Sequence, residues 1–124
     1  MNELIETIFN NFTVGNKKIP VSFVRYTGTE TTYITYQLIQ MNDSLSADNS
    51  IINYVDYYDF DIYSKGNYLN ILESVKSLLE QNGFIWQPSM SSGDMFEDDT
   101  KYFHRTLCFA YMRNNENNNI IPTA

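Results

Sequence analysis

The clearest candidate for chemistry is the only histidine of the chain, His104, which follows the acidic run Glu97-Asp98-Asp99. Imidazole and carboxylate groups together can bind metals or transfer protons. Three consecutive carboxylates in a loop point in different directions, however, and no second histidine or cysteine supports a transition-metal site. We therefore predict a structural or surface role for His104. A small metal-dependent hydrolase that uses His104 with this acidic run is the enzyme alternative.

Two further candidates are a pair of aspartates and a thiol. Asp59 and Asp61 lie on one face of a predicted strand, whereas Asp56 lies on the other. The pair could hold a hard cation weakly, but no calcium-loop pattern with its glycine is present, so a solvated or partner-facing side is predicted. Cys108 is four strand positions from His104, about 13 Å away, and is predicted to be a buried, inert thiol. The sequence thus predicts no catalytic residue, no metal site and no cofactor.

Tyrosine is the most conspicuous residue type, with ten in the chain. Four of them crowd the predicted strand 52–63 and supply aromatic rings to both of its faces. A monomeric core needs only one face, and tyrosine is enriched in protein interfaces. A candidate subunit or partner interface therefore comprises Tyr57, Asp59, Asp61 and Tyr63, and the alternative is that these rings fill the sheet of a monomer.

Two helices position these strands. Apolar residues recur at helical spacing over residues 3–12 and again over 67–81, where Ile71, Leu72, Val75, Leu78 and Leu79 form one stripe. Ser64 or Asn67 is predicted to cap the second helix, and Asn82-Gly83 to end it in the left-handed conformation. Glu73, Lys76 and Glu80 are spaced for ion pairs on its outer side.

Alternation of apolar and polar residues predicts five strands. The first two flank Thr27-Gly28-Thr29 and are predicted to pair as a hairpin, followed by a polar loop at 42–50. The third strand, at 52–63, the second helix and the fourth strand, at 84–87, form one βαβ crossover, expected to be right-handed. A flexible loop at 88–94 and an acidic loop at 94–99 precede the last strand, at 102–112.

The resulting order is α-β-β-β-α-β-β. It predicts an α+β fold with a single mixed, mainly antiparallel sheet and two helices packed on one face. The 124 residues allow one domain, predicted to cover 1–112, and the Asn-rich residues 113–124 are predicted to be a flexible tail.

Composition excludes several classes of function. Fifteen acidic and eight basic residues give a net charge of −7, and such a surface repels nucleic-acid phosphates. A single cysteine rules out an internal disulfide, and no apolar run approaches the length that spans a bilayer. A soluble protein of a reducing compartment is expected.

Three segments carry a resemblance to a known family. They are Tyr58-Asp59-Phe60-Asp61-Ile62-Tyr63 running into Ser64-Lys65, the helix exit Asn82-Gly83-Phe84, and Met95-Phe96-Glu97-Asp98-Asp99-Thr100-Lys101-Tyr102-Phe103-His104-Arg105. Over roughly residues 18–112 the chain resembles the small tail-terminator proteins of bacteriophages with long non-contractile tails. Such proteins complete the tail and join it to the head.

The resemblance implies a homo-oligomeric ring, commonly a hexamer, that caps the tail tube and offers a surface to the head connector. The implied partners are further copies of the chain, the tail tube protein and the head-connector or head-completion protein. The implied location is the head–tail junction of the virion, after synthesis in the bacterial host cytoplasm. No enzymatic activity, cofactor, membrane or sequence-specific nucleic acid is implied.

One other class of function stays open besides the hydrolase. A small acidic protein can inhibit a host enzyme by mimicking the charge of DNA. That function needs carboxylates in rows at phosphate-like spacing, whereas here they are scattered among apolar strands.

Overall fold

The computed structural model describes residues 2–45 and 52–114. The elements in chain order are α1 (Asn2–Ile8), β1 (Thr13–Val14), β2 (Lys17–Lys18), β3 (Val21–Phe23), β4 (Thr32–Leu45), β5 (Ile52–Ser64), α2 (Leu69–Gln81), β6 (Ile85–Trp86), β7 (Met95–Glu97) and β8 (Tyr102–Asn114). A 3-10 turn at Pro88–Met90 separates β6 from β7. Within the described residues, no helix is long and apolar enough to span a membrane.

One mixed sheet forms the centre of the fold, in the order β3-β4-β5-β8-β6, with β7 also paired to β8. All of its pairs are antiparallel except β3 with β4. Because β5 and β6 are both antiparallel to β8, they run parallel to each other with β8 between them, as the predicted crossover requires. The predicted α+β fold with a mainly antiparallel mixed sheet is therefore confirmed.

The core lies on one face of the three long strands β4, β5 and β8. Cross-strand partners such as Tyr36, Phe60 and Leu107 fall on this face and are almost fully buried. Both helices pack here, α1 through Ile5 and α2 through its apolar stripe. The sheet thus has a helix-covered face and a helix-free face, as predicted.

The helix α2 matches its predicted pattern, with Ile71, Leu72, Val75 and Leu79 buried. The Asn67 side chain accepts a hydrogen bond from the Leu69 amide at 3.0 Å, and Gly83 has a φ of +91°. Lys76 lies 3.6 Å from the centre of the Trp86 ring instead of forming the predicted ion pairs with Glu73 and Glu80. This cation–π contact places the Lys76 ammonium over the face of the Trp86 ring.

The predicted hairpin at the start of the sheet is wrong. β3 pairs with β4 in parallel, with Val21 opposite Ile34 and Phe23 opposite Tyr36. Val24 adopts a φ of 66°, which ends β3, and the eight residues 24–31 carry the chain back along the strand. A parallel connection this short is possible because only three residues of β3 are paired. Gly15-Asn16 is the turn of a small hairpin between β1 and β2, which the sequence analysis did not predict.

Two predicted boundaries also change. The polar loop expected at 42–50 is strand as far as Leu45, and its remaining residues, 46–50, lie outside the described residues, as does residue 51 before β5 begins at Ile52. The predicted tail from 113 is wrong at its start, because Arg113 and Asn114 belong to β8. Arg113 holds the buried Asp56 through two hydrogen bonds, of 2.7 and 3.2 Å. The remainder of the predicted tail, 115–124, lies outside the described residues.

The segment 88–94, predicted as a flexible loop, is tied to the edge of β8. The Ser91 hydroxyl accepts the amide of Cys108, and the Ser92 hydroxyl accepts the amide of Thr106, each at 2.9 Å. The acidic loop predicted at 94–99 contains strand β7, which pairs with β8 through Phe96 and Phe103. Residues 85–97 therefore cover this edge as one strand interrupted by the Pro88 turn, since proline cannot donate to a ladder.

Two leucines of α2 test where the core lies. Leu79 is fully buried, whereas the Leu69 side chain is 57% exposed. We expect Leu79→Ala to lower the free energy of unfolding by about 2–5 kcal/mol, and Leu69→Ala by less than about 1 kcal/mol. Urea denaturation of both variants measures this, and equal losses would contradict the assigned orientation of α2.

Candidate functional site: the helix-free face of the sheet

The helix-free face carries all four residues of the predicted interface. Tyr57, Asp59, Asp61 and Tyr63 alternate along β5 with the core residues, and each is partly buried. Their neighbours are Tyr33, Thr35 and Gln37 on β4 and His104, Thr106, Cys108 and Ala110 on β8. The two-residue repeat of the strand is thus sufficient to place the candidate residues together on one surface.

Four stacked rings cross one end of this face. The centre-to-centre distances are 4.6 Å from Tyr26 to Tyr33, 4.9 Å from Tyr33 to Tyr63 and 4.2 Å from Tyr63 to His104. Cross-strand pairing aligns Tyr33, Tyr63 and His104 in one row. Burial, reinforced by the nearby Asp61 carboxylate, raises the pKa of Tyr63 to about 12, so its phenol is neutral at physiological pH. The row forms a rigid aromatic surface, since stacked pairs add about 0.5–1.5 kcal/mol each.

Asp61 connects this row to the centre of the face. One of its oxygens lies 2.9 Å from His104 Nε2 and also accepts the hydroxyl hydrogen of Thr106. In a Ser-His-Asp triad the histidine lies between the hydroxyl and the carboxylate. Here the Thr106 hydroxyl donates its hydrogen to the carboxylate and lies at a longer 3.4 Å from His104 Nε2, the same nitrogen that faces Asp61, so the three groups are not arranged as the relay of a triad.

The acidic run predicted as the alternative partner of His104 lies elsewhere. Glu97 ends β7 and accepts a hydrogen bond from the Thr100 hydroxyl at 2.8 Å, and Asp98 and Asp99 are exposed in the following turn. The hydrogen bond of His104 goes to Asp61 instead. Among residues 2–45 and 52–114, no group of three histidine, cysteine, aspartate or glutamate side chains could hold a metal ion.

Asp59 and Cys108 form the next cross-strand pair on this face. Burial, the charge of Asp59 and the hydrogen bond between the two side chains raise the pKa of the Cys108 thiol to about 11. A thiol in this environment is protonated and unreactive at neutral pH, in agreement with the prediction. The Oδ1 atom of Asp59 is buried and has no hydrogen-bond partner within the part of the chain that the structure describes.

Sequence reasoning missed three features of the site. These are the Asp61–His104 bond, the row of stacked rings, and the pairing of Asp56 with Arg113 on the opposite face. Only the last has a local signal: alternation along β5 puts Asp56 among core residues, where a carboxylate needs a cation. The first two depend on which strands are neighbours and on their register.

The chain matches no protein-family model, and it has no significant match among curated proteins.

The charges of Asp59 and Asp61, two positions apart on β5, yield a prediction about stability and pH. Burial and the Asp61 charge raise the pKa of Asp59 above its ordinary value of 3.8, so the fold disfavours the charged form. This penalty operates above the folded-state pKa and disappears as the pH falls below 3.8. We expect Asp59→Asn to be at least as stable as the wild type at pH 7, with the difference shrinking as the pH approaches 3.8.

Asp61→Asn is the matched control. It keeps the side-chain shape but weakens the hydrogen bonds with His104 and Thr106, and we expect it to lose about 1–3 kcal/mol at pH 7. Urea denaturation at pH 7 and pH 4 measures both variants. A larger loss for Asp59→Asn than for Asp61→Asn would contradict the assignment.

Proposed function

We propose that this chain is a structural virion protein that closes the tail tube of a long-tailed bacteriophage and joins it to the head connector. It acts as a homo-oligomeric ring, a hexamer by resemblance to tail terminators. Its location is the head–tail junction, and it carries out no catalysis. The observation that carries the proposal is the helix-free face, a large and ordered surface that the monomer's core does not use.

The polar groups of this face favour binding over reaction. Asp61 is engaged by His104 and Thr106, and Asp59 is engaged by Cys108. The contacts of Asp61 hold His104 and the Tyr63 ring stacked on it in place, while Asp59 Oδ1 has no partner among the described residues. Ordered tyrosines lose little side-chain entropy on association, which makes such a surface suitable for contact with another protein.

The four residues of the predicted interface contribute unequally to this proposal. Tyr63 lies between Tyr33 and His104, and Asp61 already has two partners, so both fix the shape of the surface. Tyr57 is half-buried and lies farther along β5, beside Ala110. We therefore assign to Tyr57 the direct contact with a subunit or partner.

The DNA-mimic alternative receives less support from the geometry. Such an inhibitor needs exposed carboxylates in rows, but Asp56 is buried against Arg113 and Asp61 is bonded to His104. The exposed carboxylates Glu97, Asp98 and Asp99 lie together at one turn. No row of acidic groups follows the strands among the described residues.

Assembly in solution and location in the particle test the proposal together. At a net charge of −7 we expect monomers or weak oligomers at low salt, and a mass that rises towards a closed ring as salt shortens the Debye length to about 3 Å near 1 M. Light scattering across a salt series measures the mass. Immunogold labelling of a tagged chain in particles made from the genome that encodes it locates the protein.

Labelling at the head–tail junction, together with a limiting mass at high salt, is the expected result. Tyr57→Ser, with an unchanged unfolding midpoint, is expected to reduce incorporation into particles. Labelling only inside the host cell, or a complete particle that lacks the chain, would contradict the proposed function.

A further inference from the structure

The two ends of the sheet differ in a complementary way. At the first end, β3, the side chains of Phe23 and Val24 are 51% and 53% exposed. Phe23 packs one side of its ring on Tyr36, with centres 5.6 Å apart, and leaves the other side to solvent. This end therefore presents a fixed apolar projection, which we call the β3 knob (Phe23 and Val24).

The opposite end, β7 with the start of α2, presents a hollow. Tyr68, Leu69 and Phe103 line a depression of about 370 Å³, which we call the β7 hollow. Phe96 packs against Phe103 at 4.9 Å and extends the apolar surface to the edge of the sheet. Asp94 accepts the hydroxyl hydrogen of Tyr68 and lies 3.2 Å from Arg105, so the rim is held in place.

The knob and the hollow lie on the same side of the sheet but at different levels along the strands. Phe23 is level with Tyr36, Phe60 and Leu107 across the sheet. Phe103 lies four residues before Leu107 on β8, so it projects to the same helix-covered side about 13 Å further along the strand. A second copy in the same orientation therefore brings its knob to the hollow when it is displaced by that distance along the strand direction.

The charges around the two ends differ. Lys18 and Glu6 lie beside β3, where Arg25 and Glu30 follow, so the first end has no net charge. Glu97, Asp98 and Asp99 form the turn at the second end, and with Asp94, Lys65, Lys101 and Arg105 counted that end has a net charge of −1. Repulsion between two acidic turns therefore disfavours the pairing of two β7 ends, whereas the exposed cations Lys18 and Arg25 of the β3 end can face the acidic turn.

We propose that the β3 end of one copy binds the β7 end of the next, with the β3 knob seated in the β7 hollow. Strand direction supports this contact. β3 is parallel to β4, β4 and β8 are both antiparallel to β5, and β7 is antiparallel to β8. β3 and β7 are therefore antiparallel to each other, so two copies in one orientation can join their sheets in the more stable pairing.

A contact between unlike ends is heterologous, and it makes a ring when its rotation closes. The proposed function supplies that closure, so the ring, but not the pairwise contact, rests on it. The contact also leaves the helix-free face available to a different partner. Pairing of like ends would bring together either two knobs or two acidic turns, which disfavours a two-fold dimer.

A mixing experiment distinguishes unlike from like ends. Phe23→Asp removes the knob, Phe96→Asp places a charge at the hollow, and Ser77→Asp adds the same charge at an exposed position of α2 outside both ends. Each variant is first checked for a wild-type unfolding midpoint. Sedimentation or light scattering then follows mass against concentration at 1 M salt.

We expect Phe23→Asp and Phe96→Asp each to weaken self-association at least ten-fold, and Ser77→Asp to assemble like the wild type. A mixture of the first two variants should form a 1:1 dimer of twice the 14.5 kDa monomer mass and stop there, because each supplies one intact end. Monomers in the mixture, unaffected single variants, or a wild type that never associates would each overturn the proposed contact.

The test of this contact and the test of the proposed function can fail independently. A correct 1:1 dimer from a chain that is absent from virions would retain the contact and reject the virion role. A chain located at the head–tail junction whose two end variants still assemble would retain the virion role and reject the contact.

Discussion

The alternation of side chains along β5, fixed between β4 and β8, is the constraint on which the rest of the structure depends. Phe60 and Ile62 enter the core, while Asp59 and Asp61 point to the helix-free face. A shift of one residue in the pairing of β5 with its neighbours would turn the apolar residues to the helix-free face and bury the carboxylates under the helices. Burial of the apolar set on one side therefore determines the chemistry of the other side.

The helix-free face follows from this constraint as an ordered surface. Cross-strand neighbours bond to both of its aspartates, His104 and Thr106 to Asp61 and Cys108 to Asp59, whose Oδ1 atom has no partner among the described residues. The one aspartate of β5 that alternation directs towards the core, Asp56, is neutralised by Arg113 at the far end of β8. The contacts of Asp61 and the Asp56–Arg113 pair lie at different points along β5 and β8, so both strands must be long. One face of these long strands is not covered by the helices.

The periodicity of apolar residues along the chain predicted the features that depend only on neighbouring residues in the sequence. The stripe of α2, the alternation of β5 and β8, and the single covered face follow from periodicity. The parallel pairing of β3 depends on the left-handed residue Val24, which no propensity indicates. Strand β7 was missed because its exposed residues merge with an acidic turn, and the bond between Asp61 and His104 requires a register between strands 43 residues apart. The sequence placed the four candidate interface residues on one face of β5, as the structure has them, but their contacts with β4 and β8 could not be read from one strand alone.

Hydrogen exchange measured by mass spectrometry tests the central claim most directly, because it reports the contacts of assembly without assuming them. Wild type and Phe23→Asp are compared at the same protein concentration and at 1 M salt, so that only association differs between them. The account predicts slower exchange in the wild type for peptides covering residues 17–26 and 94–103, with little change over the exposed side of α2. Protection confined to α2, or equal exchange in the two proteins when the wild type is assembled, would contradict the account.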